Sequence, residues 1–193
     1  MGKARVRRWQ LERAKHRKLL VAALAAMQAC FVIELVGGLI AGSASLQVDA
    51  LETTDTKTVA DSVMKPTWNE RLEKRLNTAA GAFALVLCFW TIGVVIWNYW
   101  HKVVPNAFLM AVVSGFVFAL NATAFVLLYR ARIGNAKMRA AWRGARNDMI
   151  GAGTVLIAAG GVWGTGESWP DALALALILP FAAYRAVLTM RVS

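Results

Sequence analysis

The sequence predicts an all-α integral membrane protein: a bundle of six transmembrane helices with both termini on the cytoplasmic side. Three observations carry that expectation. Of the 193 residues, 58% are hydrophobic and 17% charged, against about 45–50% and about 25% in soluble globular chains. Apolar stretches of spanning length recur along the chain. The basic residues are gathered into some of the connections and nearly absent from the others. Two Cys and four Pro exclude a disulfide scaffold and collagen, and the apolar content excludes disorder. Eight Trp suit interfacial aromatic belts.

A spanning helix needs about 20 largely apolar residues. The elements follow in order. Residues 1–18 form a basic cytoplasmic segment bearing Lys3, Arg5, Arg7, Arg8, Arg13, Lys15, Arg17 and Lys18, and Trp9 there suits a membrane surface. The first span is 19–41. A basic start before an apolar run also describes a signal peptide, but this run continues past Cys30 to Ala41 and is long enough to stay in the membrane. The second span, 43–64, is free of Pro and Gly but carries Asp49, Glu52, Asp55, Lys57 and Asp61. Hydropathy alone reads it as a polar loop. The third to sixth spans are 78–100, 106–129, 148–163 and 171–190.

The basic residues decide the status of 43–64. Lys65, Arg71, Lys74 and Arg75 follow it, and Arg130, Arg132, Lys137, Arg139, Arg143 and Arg146 lie between the fourth and fifth spans. The connections near Ser43, near His101 and over 164–170 contain only Lys102. If 43–64 spans, every basic segment falls on one side, as the positive-inside rule expects. The +11 net charge is then a topology signal, with anionic lipid headgroups as partners. Nucleic-acid binding is the weaker reading, resting only on the run at residues 3–18.

A charge at the bilayer centre costs about 2.5–3.5 kcal/mol on insertion scales, so the second span must turn its acids toward protein or water. At 3.6 residues per turn Ser45, Asp49, Glu52 and Thr56 share a face, with Asp55 beside it. This predicts an acidic stripe inside the bundle, which attracts cations. Lys57 is a candidate internal counter-ion and can pair with Asp61, four residues on. Other polar groups must meet the stripe: Glu34 in the first span, Asn121 in the fourth, and Asn147 and Asp148 opening the fifth. Each has a milder reading. Glu34 and Asn121 serve equally as interhelical hydrogen-bonding groups, and Asp148 can pair with Arg146 or cap its helix. Gly38, Gly42, Gly151 and Gly153 suit close helix packing, and Cys30 and Cys88 read as small apolar residues. His16 and His101 fall in the tail and at an interface, with no nucleophile–base constellation or phosphate loop, so a soluble enzyme is not expected.

The run from Glu34 through Gly37, Gly38 and Gly42 to Ser43, then Leu46 and Asp49-Ala-Leu51, resembles the first-to-second-span junction of the cation diffusion facilitator family. Arg146-Asn-Asp148 through Gly151 and residues 155–159, then Trp169-Pro-Asp171, resemble its fifth and sixth spans; Asn121 and residues 127–130 fit its fourth. The resemblance implies movement of divalent metal ions, usually exported in exchange for protons, by dimers working through alternating access. The family's metal site takes two residues four apart on the second span and two on the fifth. Here those positions hold Glu52 and Thr56, and Gly144 and Asp148. The implied metal residues are therefore Glu52 and Asp148, with Asp49, Asp55 and Asn147 as further oxygen donors. An all-oxygen set favours manganese, iron(II) or magnesium over zinc. No permanently bound cofactor is expected.

Family members usually continue into a cytoplasmic domain. This sequence runs three residues past Met190, so the expectation is that no such domain follows and that a homodimer or a partner membrane protein is engaged through the transmembrane helices. Two functions follow for a multi-pass protein of a bacterial inner membrane. One is a minimal, proton-coupled divalent-cation transporter. The other is a transport-inactive relative serving as a membrane subunit or scaffold of a larger complex.

Overall fold

The computed structural model describes residues 22, 25–52, 70–131 and 136–191. Among these there are six helices and no strand: α1 (Ala25–Ala41), α2 (Ala44–Glu52), α3 (Glu70–His101), α4 (Ala107–Ala131), α5 (Ala136–Thr165) and α6 (Trp169–Arg191). The basic tail 1–18 and the second half of the expected second span, 53–64, lie outside the described residues. Three stretches, Lys74–His101, Ala107–Tyr129 and Trp169–Arg191, are long and apolar enough to cross a membrane, and Ala25–Ala41 is a shorter apolar helix. Their outward faces are apolar as well: Ile40, Phe89, Ile157 and Tyr184 are all exposed. Apolar residues on both the inside and the outside of a bundle are compatible with a lipid environment.

The third and fifth helices begin earlier than the apolar stretches that announce them, at Glu70 instead of 78 and at Ala136 instead of 148. Residues 70–76 and 136–146 are rich in Glu, Lys, Arg, Leu and Ala, all strong helix formers. Hydropathy sees only the part of a helix that sits in hydrocarbon; the backbone ladder continues beyond it.

The α1–α2 turn follows from its residues. Gly42 adopts φ 66°, a conformation that glycine reaches without a Cβ penalty. Ser43 N then donates to Gly38 O (3.0 Å) and Gly42 N to Leu39 O (3.4 Å), the pairing that closes a helix in a Schellman motif. Ser43 at once caps the next helix, its Oγ accepting from Leu46 N at 3.2 Å. Gly42, expected as a packing glycine, is a turn glycine: a Cβ there would meet nothing within 4 Å. Gly38 is the packing glycine, with Gln47 lying directly over it.

Three connections meet at one end of the bundle. Asn106 N donates to Ala41 O (2.9 Å), Asn98 Nδ2 to Gly42 O (2.9 Å), and Ser43 Oγ to Asp171 Oδ1 (2.7 Å). Helices α1, α3 and α5 end there, and α2, α4 and α6 begin there. These are the connections poor in basic residues. Within the bundle α4 lies along α5 and α3 along α6, while α2 touches α3, α5 and α6. The main core joins Leu46, Val48 and Leu51 of α2 to Met110, Val155, Leu175 and Ile178. Consequently α2 is buried on all sides from Ser43 to Leu51, whereas the sequence pattern pointed to one inward stripe. An encircled helix has no outer face on which to leave its polar residues.

Candidate functional site: a buried carboxylate cluster

An encircled helix must satisfy its polar groups internally, because hydrocarbon offers no hydrogen bonds. Helix α2 does so through its neighbours. Its first four amide donors are all placed: Ala44 N on Asp171 Oδ2 (2.9 Å), Ser45 N on Asp171 Oδ1 (3.2 Å), Leu46 N on Ser43 Oγ, and Gln47 N on Ser43 O (3.4 Å). Ser45 Oγ also donates to Asp171 Oδ1, at 2.5 Å. One turn on, Gln47 Nε2 donates to Gly38 O (3.3 Å) while its Oε1 accepts from Trp90 Nε1 (3.0 Å).

Asp49 follows, 2% exposed. Two further carboxylates are equally withdrawn from solvent: Glu34 of α1 at 2% and Asp148 of α5 at 3%. They sit on three different helices, α1, α2 and α5. Cys30 packs with Val117 of α4 and Ala152 of α5 in a small apolar cluster. Cys30 and Glu34 are one turn apart on α1, as are Asp148 and Ala152 on α5. The bundle thus buries one carboxylate on each of three helices, with Glu34 and Asp148 each one turn from a member of the Cys30–Ala152 cluster.

Asn121, 4% exposed, is one turn from Val117 on α4. The antiparallel register of α4 on α5 is set by Phe118 against Gly153 and Leu156 beside Gly115. It carries Asn121 to the level of residue 150, about half a turn from Asp148. Its Nδ2 has no hydrogen-bond partner among the described residues.

The remaining sequence candidates fare differently. Asn147 stands apart from the cluster: it is half-buried, and its Oδ1 accepts from the exposed Arg146 guanidinium at 3.3 Å. Arg146 itself lies 5.8 Å above the Trp142 ring, within an aromatic group formed by Phe125, Tyr129 and Trp142. Asp148 is no helix cap, since α5 begins at Ala136 and continues through it. Glu52 ends α2, but its side chain lies outside the described residues, as do Asp55, Thr56 and Lys57 entirely. Gly144 faces the methyl end of Met27. Cys30 and Cys88 are buried free thiols. Among the described residues no three of His, Cys, Asp and Glu stand close enough to hold one metal ion.

Asp171 is what sequence reasoning missed. It was legible as an acid in the first turn of α6, and Ser43 and Ser45 as residues at a helix start. That the acid of one helix serves the start of another, 128 positions away, has no local signature. No protein-family model matches this chain, and no curated protein matches it.

Proposed function

We propose that this chain is a six-span membrane protein with both termini cytoplasmic, of cation-diffusion-facilitator type, that moves a divalent cation across the bilayer in exchange for protons. The observation that supports this reading is the burial of three carboxylates, Glu34, Asp49 and Asp148, on three different helices. Each charge costs about 2.5–3.5 kcal/mol to place at membrane depth, and like charges brought together repel as well. A bundle retains such charges where they are useful: in this reading Glu34, Asp49 and Asp148 come together on a cation as their helices move, and exchange it against protons. The donors are all oxygen, which favours manganese, magnesium or iron(II) over zinc. Side chains on separate helices also let a relative movement of those helices make and break the site, as alternating access requires.

Two features support the orientation. The basic-poor connections are hydrogen-bonded to one another at one end, and Lys74, Arg75, Arg139 and Arg143 belong to the opposite halves of their helices. That matches the positive-inside rule with the basic end in the cytoplasm.

The test is flux of manganese, iron(II) and zinc into proteoliposomes under a proton gradient, for wild type, Asp148→Asn and Asp49→Asn. These replacements keep side-chain volume and remove charge. Wild type is expected to move manganese or iron(II), and each variant to lose at least about tenfold in rate while remaining monodisperse. Absence of flux for every ion in well-folded wild-type protein overturns the transport reading and leaves that of a membrane subunit or scaffold.

A further inference from the structure

We infer that Asp171 is the positioning residue of the buried carboxylate Asp49: it binds α2 to α6 and thereby sets the height and rotation at which Asp49 is held. Its geometry stands by itself; its consequence for ion handling rests on the transport reading.

Asp171 is 1% exposed and sits in the first turn of α6. Its carboxylate accepts from Ser43 Oγ, Ala44 N, Ser45 N and Ser45 Oγ. One carboxylate therefore stands at the N-terminal ends of two helices, where both backbone dipoles favour negative charge. The covalent link from α1 to α2 is short. It passes through Gly42 in the left-handed region, around which no atom lies within 4 Å of a built Cβ. Gln47 Nε2 on Gly38 O ties α2 to α1, and four hydrogen bonds from residues 43–45 tie its start to Asp171 of α6.

The grip falls on the face that matters. Ser45 and Asp49 are four residues apart and share one side of α2, so Asp171 holds the same helical face that carries Asp49. Without this acceptor, two amides and two hydroxyls lose their partner in a dry interior. The least costly relief is to unwind residues 43–46, which turns and lowers everything after them. Asp49, some six residues and about 9 Å along the axis from Ser43, is the charged group that such a shift displaces. Glu34, Asn121 and Asp148 stay in place on α1, α4 and α5.

The experiment compares wild type, Asp171→Asn and Ser45→Ala in nanodiscs with two readouts: hydrogen–deuterium exchange of residues 44–52, and manganese dependence of proteoliposome flux. Asp171→Asn is expected to raise exchange in 44–52 by about tenfold or more while 107–131 keeps wild-type protection. The apparent KM for manganese rises about tenfold, with maximal rate within about threefold. Ser45→Ala shifts both quantities in the same direction by less, and carries the test if Asp171→Asn does not fold. Unchanged exchange in 44–52 overturns the proposal, as does loosening of the whole chain, or loss of maximal rate at constant KM. Wild-type protein that moves no ion refutes transport instead, and the exchange pattern alone then decides whether Asp171 positions α2.

Discussion

Gly38 is a point of close approach between the helices that carry Glu34 and Asp49, so Gly38→Ala probes both packing and site. A Cβ at Gly38 would lie 2.7 Å from Gln47 Cγ, 2.9 Å from Gln47 N and 3.3 Å from Gln47 Cα. Two of these three atoms are backbone and cannot swing aside. Ordinary contact begins near 3.4 Å, so α2 must withdraw by about 0.5–0.7 Å, the difference between 3.4 and 2.9 or 2.7. Overpacking of this kind costs about 1–3 kcal/mol. The withdrawal also weakens the Gln47–Gly38 hydrogen bond, already 3.3 Å long, for about 1 kcal/mol more. Alanine recovers about 0.8–1 kcal/mol of helix propensity. The net loss is about 2 kcal/mol, which lowers the melting temperature of a chain this size by about 4–8 °C. Thermal unfolding in detergent, followed by tryptophan fluorescence, reads this directly. Gly160→Ala is the control: nothing lies within 4 Å of a Cβ there, so its melting temperature should match or exceed wild type. A Gly38→Ala protein that melts at or above wild type, beside a well-behaved control, refutes the inference that α2 is seated against Gly38.

Gly81→Ala tests the α3–α6 contact in the same way. Its Cβ would meet Met190 Cγ at 2.5 Å and Ala186 O at 2.7 Å; the methionine can move but the carbonyl cannot, and a loss of about 1–3 kcal/mol follows, with unchanged melting counting against the packing. Trp90→Phe keeps an aromatic side chain but removes the donor to the buried Gln47 amide oxygen, costing about 1–2 kcal/mol; a melting curve superimposable on wild type would deny that bond. Cys30 and Cys88, 1% and 5% exposed, should resist N-ethylmaleimide in the native protein and react after denaturation in SDS. Rapid native labelling of Cys30 would contradict the dry packing around the carboxylates.

What the sequence by itself determined is what depends on local pattern. Membrane character follows from apolar runs, and the described start of the polar stretch, Ala44–Glu52, is a helix within the bundle. Glu34, Asn121 and Asp148 are recognisable as polar residues embedded in apolar helices, and all three are buried. Tertiary structure decided which of these groups meet. Asn147 and Asp148 are adjacent in sequence, yet successive helical positions point about 100° apart. One therefore faces Arg146 and the other the core, and only the neighbours of α5 establish which. The helices carrying Glu34 and Asp49 pack on each other because Gly42 turns α1 back on α2 and Gly38 lets the two close. Asp171 caps a helix that begins at residue 44 because the starts of α2 and α6 arrive side by side at one end of the bundle. Hydropathy and periodicity record whether a residue leaves water; the partner it finds there depends on how distant helices pack together.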